Sequence, residues 1–118
     1  LAALDLGTGR LRWQVPLGTT RDKAPWPFWL ELGMPNQGGP LITATGIVFV
    51  AAATDNVLRA FELASGRLLW TSRLPAGGQA GAASYSVNGR QFVVIAAGGH
   101  GGMDTTRGDH LVAFALEP

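Results

Sequence analysis

The chain of 118 residues lacks cysteine altogether and contains few charged residues. Without a thiol it can form neither a disulfide framework nor a thiolate metal site. Charged residues make up only 14% of the sequence, the formal net charge is +1, and no run of Lys or Arg is interleaved with aromatic residues. The electrostatic signature of a nucleic-acid-binding protein is therefore missing, and we expect no nucleic-acid partner.

Long apolar runs are missing as well. The longest, "GIVFVAAA" at residues 46–53, is far shorter than the roughly 20 residues that a membrane-spanning helix needs. The chain begins at Leu1, with neither an initiator methionine nor a basic segment followed by an apolar signal sequence. We expect no targeting or transmembrane segment in this stretch, and we expect it to be part of a longer protein.

Apolar residues and turn formers dominate the composition instead. Hydrophobic residues account for 47% of the chain, which also contains 17 glycines and 7 prolines. Glycine allows positive φ angles in tight turns, whereas proline is disfavoured inside helices and central strands. This composition is typical of many short strands joined by turns, so the predicted fold class is all-β.

Twelve residues of the sequence are repeated. "RAFELASGRLLW" at 59–70 aligns without a gap with "AALDLGTGRLRW" at 2–13, which lies 57 residues earlier. A third, partial copy is "LVAFALEP" at 111–118, where Ala113 follows Ala60 by 53 residues. A repeat of this length is typical of propellers and solenoids, in which each unit packs on the next.

We predict four strands in each complete repeat unit. The Asn88-Gly89 pair is the strongest hairpin signal, because a type I′ turn needs positive φ at both central positions. The predicted strands of the second and third units are 39–44, 46–53, 57–63, 67–74, 83–87, 90–97 and 110–116. The predicted organisation is two last strands of one unit at 1–17, a long loop with Pro and Trp at 18–39, a complete unit at 40–74 and a three-stranded last unit at 75–118.

Each full copy of the repeat ends in tryptophan. Local rules explain the rest of the hairpin, since Ser65-Gly66 suits a tight turn in which glycine takes the left-handed conformation. They do not explain a large indole that follows a small alanine by ten residues, as Trp70 follows Ala60. This spacing indicates a knob on one unit that packs on a flat spot of the next, and the alternative is that Trp70 is an ordinary core residue.

The pattern Ala-x-Asp-x-x-Thr-Gly-x-x-x-Trp, here "ALDLGTGRLRW" and "AFELASGRLLW", resembles the tryptophan-docking motif of the propeller quinoproteins. These are dehydrogenases that use pyrroloquinoline quinone (PQQ). "GMPNQGGPLITATGIVFVAAATDNVLRAFE" and "YSVNGRQFVVIAAGGHG" are similar to the C-terminal end of the membrane-bound glucose dehydrogenase group, which also contains quinate and polyol enzymes. The resemblance covers essentially the whole chain.

This resemblance implies that the chain is a fragment of about two blades of an eight-bladed β-propeller. In the family each motif tryptophan stacks between neighbouring blades. The residues that the resemblance assigns to structural docking are Ala3, Gly9, Trp13, Ala60, Gly66 and Trp70. Because the last blade lacks its fourth strand, its exposed edge could pair with residues 10–17 or with another chain.

Asp55 directly follows an apolar strand in "AATDNVLRA". From the residues alone, an Asx turn between two strands explains it. The resemblance instead implies a cofactor-binding residue, because the family places its matching aspartate at the inner end of the strands beside PQQ. An acid near an anionic quinone must pair with a cation or share a proton, and we expect that cation outside this stretch.

His100 is flanked by glycines in "AGGHGG". An isolated histidine of this kind is commonly a surface loop residue. The resemblance implies a substrate-proximal position, where His100 would bind a sugar hydroxyl or tune the cofactor environment without being the general base. Neither the catalytic aspartate of the family nor its Ca²⁺ ligands match any residue here, so we expect no catalytic and no metal-binding residue in this stretch.

The function implied by the resemblance is oxidation of a sugar or polyol by hydride transfer to PQQ, with Ca²⁺ or Mg²⁺ bound elsewhere in the protein. Electrons would pass to a quinone acceptor of the respiratory chain, at the periplasmic face of the bacterial inner membrane. The fragment alone is expected to be inactive. The alternative is a non-catalytic propeller with PQQ-like repeats that acts as a protein-binding scaffold in the bacterial envelope. Asp55 and His100 favour the enzyme, since a scaffold does not need either residue at a pocket-facing strand end.

Overall fold

The computed structural model describes residues 1–115. Its regular structure consists of short strands and a single 3₁₀ turn at Gly101–Met103. The strands are β1 Ala2–Asp5, β2 Arg10–Gln14, β3 Leu41–Ile42, β4 Ile47–Val50, β5 Val57–Glu62, β6 Leu68–Arg73, β7 Ala83–Val87, β8 Arg90–Ala97 and β9 His110–Ala115. The predicted all-β class is confirmed. Within the described range, no helix is long and apolar enough to cross a membrane.

Three antiparallel sheets follow one another along the chain. They contain β1-β2, β3-β4-β5-β6 and β7-β8-β9, with every strand paired to its sequence neighbour. This meander arrangement is that of successive propeller blades. The predicted strand at 110–116 is present up to Ala115, whereas Leu116 and the end of the third repeat copy lie outside the described residues.

The two central strands of the middle sheet, β4 and β5, are covered on both faces. Side chains of β4 alternate, so that Val48 and Val50 enter a core with Leu17 of the first unit. Phe49 packs on a second core, which Leu58 forms with the third sheet. Every residue of β5 except Glu62 is buried. Burial on both faces explains why this part of the sequence is a nearly continuous apolar run rather than an alternating one.

The strand β4 is shorter than predicted, ending at Val50 instead of residue 53. The backbone beyond it pairs with the long loop and not with β3. Ala52 accepts a hydrogen bond of 2.9 Å from the backbone N–H of Gln37, and Ala53 forms an isolated bridge with Asn36. The loop at 18–39 thus completes the end of the sheet, which a strand pattern alone could not indicate.

The repeated hairpin has the same backbone in both full copies. Gly9 and Gly66 have φ of 68° and 74°, and their N–H groups donate to the carbonyl groups of Asp5 and Glu62 at 2.7 and 2.8 Å. A bulge follows Ala3 in the first copy and the equivalent Ala60 in the second. The local rules that predict this turn therefore act identically in the two copies.

Trp13 of β2 lies on the hairpin turn of the next sheet. Its indole Nε1 donates a hydrogen bond of 2.8 Å to the carbonyl oxygen of Leu63. The ring lies so close to Gly66 that an added Cβ there would be 2.6 Å from Cδ2 and Cε3 of the indole. Gly66 is therefore the flat surface under this tryptophan, and a side chain at that position would displace the ring.

The alanines that precede the tryptophans have a different position from the one expected. Ala3 faces Trp13, and Ala60 faces Trp70, across the two strands of one hairpin. They are partners within one sheet and not receiving surfaces on the next. Trp70 reaches the third sheet, where its ring meets Phe114 edge-on with centroids 5.2 Å apart. The turn that would correspond to Gly66 lies outside the described residues.

The third sheet has three strands in the described range, in the order β7-β8-β9. The expectation that residues 10–17 could cover its free edge is wrong, because β2 belongs to the first sheet with β1 and does not pair with β9. Pairing of the free edge with another chain stays a prediction.

Candidate functional site

Asp55 lies just beyond the end of β4 and is completely buried. The guanidinium group of Arg59 on β5 pairs with both of its carboxylate oxygens, with 2.9 Å between Nη1 and Oδ1. Thr19 of the long loop donates its backbone N–H at 2.7 Å and its hydroxyl at 2.9 Å to Oδ2. An Asx turn would require the carboxylate to accept hydrogen bonds from the backbone of its own turn. It is bonded to Arg59 and Thr19 instead.

The expectation that the cation for Asp55 lies outside this stretch is wrong, because Arg59 supplies it. Burial alone would raise the pKa of Asp55. The hydrogen bonds and the positive charge of Arg59, together with the hydrogen bonds from Thr19, outweigh the effect of burial and hold this pKa below its ordinary value. The carboxyl group of Asp55 is therefore ionised at neutral pH and pairs with the guanidinium group of Arg59. The buried pair is electrically neutral as a whole, so its field on a neighbouring anion is small.

The residues on either side of Asp55 leave polar atoms without partners. Thr54 and Asn56 are buried, and among the described residues neither Thr54 Oγ1 nor Asn56 Oδ1 has a hydrogen-bond partner. The other side-chain atom of Asn56, Nδ2, donates to the hydroxyl of Thr106 at 2.9 Å. Buried polar atoms are normally satisfied, so these two are positions at this end of the sheet where the described residues leave a hydrogen bond unmade.

The long loop is bound to the same region by charged side chains. Arg73 of β6 donates to both carboxylate oxygens of Asp22, each at 2.8 Å, and to the carbonyl oxygen of Asp55 at 2.9 Å. Lys23 donates to the carboxylate of Asp104 at 2.9 Å. Since Asp104 follows the 3₁₀ turn, the loop joins the end of the middle sheet to the His100 segment.

His100 lies in the loop between β8 and β9, with an exposed side chain. Its backbone N–H donates to Thr105 Oγ1 at 2.8 Å. The hydroxyl of Thr105 donates to Gln79 Oε1 at 2.9 Å, and Gln79 Nε2 donates to the carbonyl oxygen of Ala53 at 3.1 Å. The structure thereby brings the His100 loop and the Asp55 strand end together through a chain of hydrogen bonds.

The described residues do not fit a metal site. Nowhere in residues 1–115 do three or more His, Cys, Asp or Glu side chains come close enough together to hold a metal ion. Asp55, the acid best placed for such a role, has both oxygens engaged by Arg59 and Thr19. That any Ca²⁺ or Mg²⁺ ligands lie elsewhere in the protein stays a prediction.

The comparisons with known proteins decide the family. Residues 1–93 match the family described as "PQQ: Glucose/ethanol/alcohol dehydrogenase, beta-propeller domain". The chain belongs to this family of PQQ dehydrogenase propellers. PQQ is the cofactor of the family, and the polar atoms of Thr54 and Asn56 without partners fit a polar cofactor of this kind.

The relatives of this PQQ dehydrogenase chain include proteins named as quinoprotein glucose dehydrogenases and glycerol dehydrogenases. It is 48% identical to the quinoprotein glucose dehydrogenase of Escherichia coli (strain K12), over 98% of this chain and 15% of the relative. It is 47% identical to the glycerol dehydrogenase large subunit of Gluconobacter oxydans (strain 621H), over 98% of this chain and 16% of the relative. The chain thus spans about 15% of the length of the curated relatives that it matches.

A solved structure shows the same fold. The quinohemoprotein alcohol dehydrogenase from Comamonas testosteroni superposes with a TM-score of 0.69 and 24% identity, covering 97% of this chain and 16% of that one. Together with the family match, this confirms that the PQQ dehydrogenase chain is part of a larger β-propeller.

Several residues of the candidate site were missed by sequence reasoning. Arg59 had a signal that could have revealed it, since it is the one charged residue in the run "VLRAF" and a charge in a buried strand needs a counter-ion nearby. Thr19, Gln79 and Thr105 had none. They are polar residues of loops, and the partners that join them to the Asp55 strand end or to each other lie 26 or more positions away.

Proposed function

We propose that this chain is the C-terminal propeller segment of a PQQ-dependent dehydrogenase that oxidises a sugar or polyol, glucose-like in chemistry. The substrate would lose a hydride to the quinone, and the electrons would pass to a quinone acceptor of the respiratory chain. In this proposal 1–17, 40–74 and 75–118 belong to three successive blades, and the loop 18–39 joins the first to the second. Its main support is the similarity, over nearly the whole of this chain, to dehydrogenases named for glucose, glycerol and quinate.

The Asp55 region would bind the cofactor. PQQ, when bound, supplies the electron-accepting carbon, and the protein supplies position and electrostatics. Thr54 and Asn56 would satisfy their free polar atoms on it. Asp55 would act mainly through Arg59, because a paired carboxylate does not repel an anionic cofactor as a free one would.

His100 would contact the substrate. Its side chain is exposed, whereas the space beside Gly99 is filled by the backbone of Thr106, so a ligand would meet the imidazole and not the backbone next to it. A neutral imidazole can both accept and donate a hydrogen bond, which suits a sugar hydroxyl. We assign no proton-abstracting role to it, and the catalytic base is proposed to lie outside this chain, as are the ligands of Ca²⁺ or Mg²⁺.

The tryptophans would hold neighbouring blades of the propeller together. Trp13 lies on the turn at Gly66, and Trp70 is proposed to do the same for the next blade. Ala3 and Ala60 would serve docking indirectly, by leaving space across the hairpin from each indole. The full protein is proposed to work at the periplasmic face of the bacterial inner membrane.

A turnover assay tests this function. The full-length protein, supplied with PQQ, Ca²⁺ and a dye acceptor, is expected to oxidise at least one of glucose, glycerol and quinate, and to do so only when PQQ is present. Residues 1–118 alone are expected to give no turnover, because the base and the metal ligands would be missing. Robust oxidation by the isolated chain, or oxidation without PQQ, would contradict the proposal. A full-length protein that never turns over with PQQ but binds an envelope protein would support the scaffold alternative.

A further inference from the structure

Gln79 connects the two parts of the candidate site. Its side-chain Nε2 donates to the carbonyl oxygen of Ala53, two residues before Asp55, and its Oε1 accepts from the hydroxyl of Thr105. Thr105 in turn accepts the backbone N–H of His100. One half-buried amide group thus uses both of its ends, one toward the cofactor side and one toward the histidine loop.

In this series of hydrogen bonds, the neighbouring groups determine which atom donates and which accepts. Because Thr105 Oγ1 accepts the His100 N–H, its own proton is free to point to Gln79. The carbonyl oxygen of Ala53 can only accept, so the amide of Gln79 must present its nitrogen there and its oxygen to Thr105. The flipped amide would not satisfy both Ala53 and Thr105. The hydrogen bonds of Gln79 and Thr105 therefore restrain the position of the His100 backbone.

The backbone next to this connection is closely packed. A Cβ added to Gly77 would lie 2.5 Å from Thr105 Oγ1, so the backbone beside Gln79 is already in contact with the bonded atoms. The N–H of Gly77 donates to the carbonyl of Thr106, and the N–H of Gly99 donates to the carbonyl of Gly77, both at 2.9 Å. These backbone bonds join the Gln79 segment to both sides of the His100 loop.

We propose that Gln79 is a positioning residue for substrate recognition, which holds His100 at a set distance from the Asp55 strand end. The proposal rests on the proposed function, in which His100 contacts the sugar or polyol. The exposed imidazole depends on the backbone of its loop for its position, and small displacements of a contact group weaken binding and alter selectivity. Gln79 touches neither substrate nor cofactor in this account. Its effect passes through Thr105 to His100.

The test uses the full-length protein with three variants. Gln79→Leu removes both bonds of the amide at similar size, and Gln79→Glu keeps the acceptor for Thr105 but loses the donor to Ala53. The matched control is Gln91→Leu, which removes an amide bond of 2.9 Å to Ser84 on the exposed part of the third sheet. Hydrogen exchange of residues 98–106 is measured in the cofactor-free protein. KM and kcat are measured with PQQ for the two best substrates among glucose, glycerol and quinate.

We expect Gln79→Leu to speed exchange in residues 98–106 by about tenfold, since a lost bond changes local opening by this order. KM should rise by about three- to tenfold, with kcat within about twofold of wild type and a changed ratio of kcat/KM between the substrates. Gln79→Glu should give a smaller change in the same direction, and Gln91→Leu should match wild type. If Gln79→Leu does not yield folded protein, Gln79→Glu carries the comparison alone.

Two results would overturn the proposal in different ways. If the wild type turns over but the Gln79 variants match Gln91→Leu in exchange, or lose kcat equally for both substrates at unchanged KM, Gln79 does not position His100 for substrate recognition. If the wild type with PQQ oxidises none of the three substrates, the proposed function itself fails, and this inference fails with it. The exchange data, which need no substrate, separate the two cases.

Discussion

Replacing Asp55 with asparagine is expected to lower the free energy of unfolding by about 3–5 kcal/mol, because the change leaves a buried charge without its partner. The side chain of Arg59 is 8% exposed and that of Asp55 is fully buried. Asparagine keeps the size and one acceptor for Thr19 but cannot neutralise the guanidinium. Urea-induced unfolding of the full-length protein, followed by tryptophan fluorescence, measures the change.

Two comparisons isolate the cause. The double variant Asp55→Asn with Arg59→Met should recover most of the lost stability, since it removes the stranded charge and keeps the apolar stem of the arginine. Glu62→Gln should have little effect, because the Glu62–Arg67 pair is solvent-exposed. An Asp55→Asn protein as stable as wild type would show that the buried pair does not stabilise this end of the sheet.

The same variant should differ from wild type in its pH dependence. Arg59 and Thr19 hold the pKa of Asp55 below its ordinary value despite burial. The stabilisation is then fully present above the pKa of an unfolded aspartate, about 4. It is lost as the pH falls through the lower pKa of the folded state. The stability difference between wild type and Asp55→Asn should therefore shrink as the pH falls below about 4.

Gly66→Ala is expected to destabilise the protein by about 3–5 kcal/mol, comparable with deletion of a core aromatic side chain. A residue with Cβ at the φ of 74° is strained, which by itself costs about 1–2 kcal/mol. The new Cβ would also lie 2.6 Å from two atoms of the Trp13 ring. The indole must move away, and its hydrogen bond to Leu63 is lost.

Gly89→Ala is the control for this variant, and urea-induced unfolding of the full-length protein measures both. Gly89 has a similar φ of 77° in the exposed turn between β7 and β8, and no atom lies within 4 Å of its added Cβ. It should show the backbone strain alone, about 1–2 kcal/mol. In a Trp13→Ala background the cost of Gly66→Ala should fall to the Gly89→Ala value. Equal costs for the two glycines in the wild-type background would contradict docking of Trp13 on Gly66.

The sheets could be predicted from the sequence because the hairpins follow local rules. Asn88 and Gly89 adopt the positive φ angles, 51° and 77°, that the turn pattern indicates. The end of β4 and the role of Ala60 could not be predicted in this way. Both depend on contacts between segments: the long loop takes the place of β3 next to Ala52, and the bulged register decides that Ala60 faces Trp70 within one sheet.

Only two residues of the candidate site could be predicted from the sequence. Asp55 and His100 could be singled out by their flanking residues and by the family resemblance. The parts between them were hidden, because Gln79 and Thr105 acquire a role only when the fold brings three loops together. Thr54 and Asn56 have no sequence signal either, since an atom without a partner is visible only in three dimensions.

Equilibrium dialysis of PQQ against the full-length protein tests the central claim most directly, because binding precedes any turnover. The claim is that this chain forms part of a PQQ site at the strand end that carries Thr54, Asp55 and Asn56. We expect one PQQ bound per chain, with affinity reduced about tenfold in Thr54→Val, since a hydrogen bond to a charged group contributes about that much. A folded full-length protein that binds no PQQ, or binds it equally well with Thr54→Val, would contradict the account.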